Sequence, residues 1–226
     1  MNATAGTVPR KRVAVFISGG GSNMVSLADA CAAPDSPAQI VAVISDKPDA
    51  GGLAKAAARG IATFVFERKA YAGKAEHEAA ILGALTEINA DIICLAGYMR
   101  LISGDFIHRF EGRMLNIHPS LLPLFPGLHT HQRALDAGMK IAGCSVHFVT
   151  EGMDEGPIVA QAAVPVLADD TVNTLAARVL TVEHQLYPQA LRMLAEEKVR
   201  MENGKAVFEP AAQSDLAQQQ LISAGL

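Results

Sequence analysis

Val13-Ala14-Val15-Phe16-Ile17-Ser18-Gly19-Gly20-Gly21-Ser22-Asn23 decides the architecture. The run Val13 to Ile17 is apolar without interruption, which predicts a parallel strand covered on both faces rather than a half-exposed one. The small-residue turn Ser18 to Ser22 then leads into helical sequence around Met24 to Cys31. The same rhythm repeats outward. Ile40 to Ile44 is an apolar run, followed by Gly51-Gly52 and an Ala-rich helix to Arg59, where Gly60 can terminate it. Ile61 to Val65 is a short strand, residues 74–88 a longer helix, and Asp91 to Ala96 another buried strand. Such alternation predicts an α/β protein with an open, mostly parallel twisted sheet and helices on both faces. Farther on, Met114 to Ile117 is a short strand and residues 119–130 a Pro-rich loop. Residues 141–149 and 158–166 are strand-like on either side of a turn from Glu151 to Pro157, and a helix runs from about Thr171 to Tyr187.

The chain has 226 residues, half of them hydrophobic, enough for one substantial core. With 19 Lys+Arg against 23 Asp+Glu its net charge is −4, which gives no electrostatic case for nucleic acid or an anionic membrane. The longest apolar runs are strand-sized, so a membrane-spanning helix is not expected. Cys31, Cys94 and Cys144 lie far apart with no C-x-x-C spacing, as expected of reduced thiols in a cytoplasmic protein. Residues 1–11 read as a flexible leader, 12–208 as a single domain, and 209–226, with little apolar pattern, as a C-terminal tail.

The glycine turn lets the backbone approach a ligand closely, and the free N–H groups at the helix start favour an anion. It lacks the third glycine of a dinucleotide fingerprint and the Lys of a nucleoside-triphosphate loop. Ser22 and Asn23 instead offer a hydroxyl and an amide to a terminal monophosphate; an ordinary tight turn is the alternative. Asn116-Ile117-His118-Pro119 carries a second polar pair. In an extended chain residues i and i+2 share a side, roughly 6.5–7 Å apart, so Asn116 and His118 face one space. Pro119 biases His118 towards the extended conformation. A carboxamide can donate to an oxyanion and an imidazole can move a proton near neutral pH; a strand-end Asn making a turn, beside a histidine satisfied by backbone, is the alternative. Asp154, in a loop bounded by Gly152 and Gly156, is the candidate to pair with His118; an Asx-type turn is its other explanation. On the helix after Thr171, Glu183 falls about 20° from Val172, within an apolar stripe that includes Ala176, Val179 and Leu186. A carboxylate there requires a buried partner or a ligand cavity. No metal is expected: His129-Thr130-His131 has no companion at ligand spacing. Neither Ser120 nor Ser145 sits in a nucleophile elbow, and Cys144 reads as a small strand residue.

Taken together, Ile17 to Asn23, Leu95-Ala96-Gly97-Tyr98-Met99-Arg100, Asn116 to Pro123, Pro126 to His131 and Gly143 to Val149 resemble the phosphoribosylglycinamide formyltransferase family, folate-dependent enzymes of purine biosynthesis. The likeness covers about residues 12 to 200, and it implies a Rossmann-like formyltransferase fold. It also implies transfer of the formyl group of 10-formyltetrahydrofolate to the amino group of glycinamide ribonucleotide, with 10-formyltetrahydrofolate as co-substrate and no metal. Carried over by position, Asn116 would hold the oxyanion and contact the folate, His118 would move the proton, and Asp154 would hold His118. Gly21, Ser22 and Asn23 would bind the substrate phosphate and Glu183 the ribonucleotide. Lys74, Met99, Arg100, Leu101 and Ile102 would line the folate cleft, with the loop from Glu151 to Gly156 closing over the pterin. Leu122–Pro123 is the candidate for a cis bond. The chain departs from the family at Gly20, where Asn is common, at Leu124, where a basic residue is common, and at Lys74, which stands near the place of an Arg. A formyltetrahydrofolate hydrolase with water as acceptor, and a catalytically silent folate or nucleotide binding module, are the rival readings. Small molecules are the expected partners, with no nucleic acid or membrane and with monomer and homodimer both open.

Overall fold

The computed structural model describes residues 9–209; nearly all of the expected leader and tail lies outside them. Strand β1 (Lys11–Ile17) starts one residue before the expected domain boundary. Arg10, just ahead of it, donates its guanidinium to the carbonyls of Ala38 and Cys31. The chain continues through α1 (Ser22–Cys31), β2 (Ala38–Ser45), α2 (Gly51–Ala57), β3 (Ala62–Val65), α3 (Lys74–Glu87), β4 (Ile92–Leu95), α4 (Gly104–Arg109) and β5 (Met114–His118). It ends with α5 (Thr130–Asp136), β6 (Ile141–Phe148), β7 (Ile158–Pro165), α6 (Val172–Ala195), β8 (Val199–Glu202) and β9 (Lys205–Phe208).

Seven strands form one sheet in the order β3-β2-β1-β4-β5-β6-β7, and β8 and β9 form a separate hairpin. Pairing is parallel from β3 across to β5 and antiparallel at β5–β6 and β6–β7. The mostly parallel sheet read from the sequence is therefore observed. Side chains of β1 alternate between two cores, which is why its run is apolar throughout. Val13, Val15 and Ile17 pack in the cluster that includes Leu27 of α1 and Val179 and Tyr187 of α6. Ala14 and Phe16 pack on the opposite face with Ile81 and Leu85 of α3 and Phe106 of α4.

Helix α6 runs eight residues beyond the expected end at Tyr187, with Pro188 inside it. Proline has no N–H for the carbonyl four residues back, that of His184. Ser26 of α1 supplies the missing donor, its Oγ lying 2.5 Å from that oxygen. Tyr187, fully buried, places its hydroxyl 3.0 Å from the carbonyl oxygens of both Leu95 and Leu115 and so ties α6 to β4 and β5. The strand order reverses between β1 and β4, which opens a crevice at the carboxyl ends of these strands. Ser18 follows β1 there, Gly97 follows β4, and His118 ends β5.

Candidate active site

Asn116 and His118 line the same cleft, as the strand period requires; Ile117 between them borders it too but belongs to the main hydrophobic cluster. The antiparallel register sets Asn116 directly opposite His147 of β6. His147 Nδ1 lies 2.8 Å from the Phe148 carbonyl oxygen, which can only accept, so Nδ1 carries the proton and Nε2 presents a lone pair. Asn116 Nδ2 donates to that lone pair at 3.1 Å. The contact fixes which way the carboxamide points. Burial pushes the His147 pKa down, against the opposing effects of its backbone bond and of Asp154, and so favours the neutral ring that can accept. The second Asn116 N–H has only a long contact of 3.5 Å, to Asp154 Oδ1.

Asp154 sits in the loop between β6 and β7 with φ 56°, a left-handed conformation that Asp tolerates better than most residues. Its Oδ2 accepts from the Gly127 N–H at 2.8 Å and lies 3.3 Å from His118 Nδ1. His118 Nε2 lies 3.0 Å from the Phe125 carbonyl oxygen. Each ring nitrogen of His118 thus faces an acceptor. Leu122–Pro123, the candidate cis bond, lies in the loop that carries Phe125 back to His118 and is cis.

At the start of α1, Gly21 has φ 69° and no side chain caps the helix, leaving its first N–H groups open. Asn23 donates Nδ2 to Glu183 Oε2 at 2.7 Å, and its own Oδ1 is buried without a partner. The buried partner of Glu183 is therefore an amide, and both side chains line the cleft. Burial raises the Glu183 pKa, opposed by the Asn23 donation.

The cleft encloses about 870 Å³. Met99, Arg100, Leu101 and Ile102 form one wall and Glu151 to Asp154 another. Lys74 lies outside this cleft, in an adjoining hollow of about 290 Å³ that shares Tyr98 to Ile102 with it. There Lys74 Nζ is 3.8 Å from Glu78 Oε1, with Arg68 on the same lining. Gly21 and Ser22 border the cleft only through Asn23. Among the described residues no group of three or more His, Cys, Asp or Glu side chains is placed to hold a metal ion, and no helix is long and apolar enough to cross a membrane. The three cysteines are buried free thiols.

Two residues of the site escaped the sequence reading. His147 was visible as a strand residue, but its contact with Asn116 needs the β5–β6 register. Lys55 of α2 donates Nζ to the Gly20 carbonyl at 2.8 Å and brings a cation to the glycine turn. A lysine in an Ala-rich helix carries no signal of that approach.

An open α/β sheet with an amide donor and an imidazole–carboxylate pair at its carboxyl edge defines an enzyme equipped to handle charge at a carbonyl carbon. Residues 11–191 match the formyl transferase family model, and the chain belongs to that family. Phosphoribosylglycinamide formyltransferase of Haemophilus influenzae is 43% identical over 89% of this chain and 95% of its own length. The trifunctional purine biosynthetic protein adenosine-3 of Bos taurus is 50% identical over 87% of this chain, which spans 20% of that longer protein. The crystal structure of phosphoribosylglycinamide formyltransferase from Brucella melitensis superposes with a TM-score of 0.80 and is 71% identical, covering 82% of this chain and 96% of that one.

Proposed function

We propose that this chain transfers the formyl group of 10-formyltetrahydrofolate to the amino group of glycinamide ribonucleotide. The observation that carries the proposal is the convergence of Asn116, His118 and Asp154 at a cleft that Asn23, in the uncapped first turn of α1, also lines. The ribonucleotide phosphate sits against Gly21, Ser22 and Asn23, where open helix N–H groups favour an anion and Lys55 adds positive charge. Glu183 and the unpartnered Asn23 Oδ1 accept from its neutral polar groups. The donor lies along Met99 to Ile102, with its acidic tail towards Lys74 and Arg68.

In the reaction the amine nitrogen bonds to the formyl carbon and the bond from that carbon to the folate nitrogen breaks. The proton lost by the amine ends on the folate nitrogen. Negative charge grows on the formyl oxygen between these events. The second Asn116 N–H, only loosely engaged in the free protein, donates to it. His118, set between Asp154 and the Phe125 carbonyl, stands beside the oxyanion and passes the proton on.

The test mixes purified protein with 10-formyltetrahydrofolate and follows tetrahydrofolate with and without glycinamide ribonucleotide. Product only with the ribonucleotide is expected. Equal product without it makes water the acceptor and the chain a hydrolase. No product in either, from folded protein, makes it a binding module.

A further inference from the structure

We propose that Asp46 is a positioning residue for the cleft wall Gly97 to Ile102 and sets affinity for the formyl donor without touching it. The proposal rests on the assignment of that wall to the donor. Asp46 follows β2, lines neither cavity, and its side chain is 1% exposed. A buried carboxylate is costly unless its oxygens are engaged. Here Ser18 Oγ donates to Oδ1 at 2.5 Å and Arg100 Nε donates to Oδ2 at 2.7 Å. Having given its proton to Asp46, the Ser18 hydroxyl accepts the Met99 N–H at 2.8 Å, and the Ser18 N–H donates to the Gly97 carbonyl at 3.1 Å. Three contacts therefore run from the ends of β1 and β2 to the wall.

Tyr98 and Ile102 pack against the core face that includes Phe16, but the stretch between them is held by little besides these bonds. Residues 99–103 form no helix or strand, and Met99 and Leu101 are 60% and 69% exposed, so hydrophobic packing does not fix them. At the other end Glu78 accepts from the Ser103 N–H at 2.9 Å. The wall is hung between two buried carboxylates. Among the described residues nothing bonds Arg100 Nη1 or Nη2, so the anchored guanidinium keeps its two terminal nitrogens for a ligand.

The experiment compares Asp46→Asn with the unmodified protein in steady-state transfer. The expected result is at least a tenfold rise in KM for 10-formyltetrahydrofolate, with KM for the ribonucleotide within twofold and kcat within about threefold. Arg100→Met is expected to raise the same KM, and Asp46→Asn added to it to raise it no further, because the asparagine oxygen can still accept from Ser18 and only the Arg100 contact is lost. An unchanged donor KM, or an equal rise for both substrates, overturns the proposal. If Asp46→Asn does not fold, Ser18→Ala removes the Met99 tether together with the Ser18 bond to Asp46, leaves the Arg100 contact in place, and is expected to raise donor KM several-fold; no rise overturns the proposal equally. A protein that transfers no formyl group sinks the functional assignment instead. Calorimetric binding of 10-formyltetrahydrofolate to both forms still tests Asp46, with a tenfold loss of affinity expected.

Discussion

In the proposed reaction Asn116 can serve as the oxyanion donor because one of its two N–H groups is tied to His147 Nε2 and the other is loosely held. Losing such a donor costs about 2.7–4 kcal/mol of transition-state stabilisation. Asn116→Ala is therefore expected to lose at least about 100-fold in kcat while unfolding at the same temperature; near-normal turnover would remove Asn116 from the chemistry. His147 acts on that donor indirectly, by its lone pair. His147→Leu, which leaves the amide without an acceptor, is expected to lower kcat about tenfold, and His147→Gln, whose oxygen can accept, to lose less. Equal losses in the two variants would mean that His147 matters for packing alone. The shared face of Asn116 and His118 was legible from the strand period. Asp154 was visible only as a candidate, since its approach depends on how a distant loop folds back. His147 was hidden because sequence does not state which residues oppose each other across two strands.

At the scale of elements, uninterrupted apolar runs made β1, β2 and β4 legible, and Pro188 concealed the last turns of α6. Proline predicts a break where nothing satisfies the carbonyl it strands; the remedy came from α1, 158 positions away, as the Ser26 hydroxyl. Ser26→Ala should leave the His184 carbonyl unpaired in a half-buried site and destabilise the protein by about 1–3 kcal/mol in denaturant titration. No measurable loss would show that water or a bent helix serves that carbonyl equally well. The hairpin of β8 and β9 was legible and went unread. Its turn is Asn203-Gly204, both with positive φ (51° and 71°), the pair that two-residue hairpins favour. Glycines divide by their surroundings in the same way. A Cβ on Gly156 would lie 1.7 Å from the Phe148 carbonyl oxygen, whereas one on Gly20 would meet nothing within 4 Å. Gly156→Ala is expected to cost about 1–3 kcal/mol and Gly20→Ala to stay within about 0.5 kcal/mol, measured by the same titration. A tolerated alanine at 156 would mean that the loop carrying Asp154 can shift freely.

On the scale of the whole molecule, the reversal of strand order between β1 and β4 brings α1 and α6 together over the crevice, and with them Asn23 and Glu183. The order of strands was not in the sequence, but its consequence was, as a carboxylate on an apolar helix face. The partner is an amide, which solvates an ionised carboxylate less well than a cation does, and the nearby Cys144 thiol, its pKa pushed up to about 12 chiefly by burial, adds no charge. The folded protein therefore favours neutral Glu183, and its pKa rises from the usual 4.5. A carboxyl with a raised folded-state pKa contributes stability that is complete below its ordinary value and is lost as pH climbs through the raised one. Glu183→Gln, neutral at every pH and still able to accept from Asn23, should match the unmodified protein in melting temperature near pH 4. It should exceed it increasingly towards pH 8. The same substitution should weaken the ribonucleotide more than the formyl donor, seen as a rise in one KM and not the other. A melting-temperature difference that is flat with pH would mean that Glu183 is solvated in the folded state, and the carboxylate would then have no cost for ligand binding to justify.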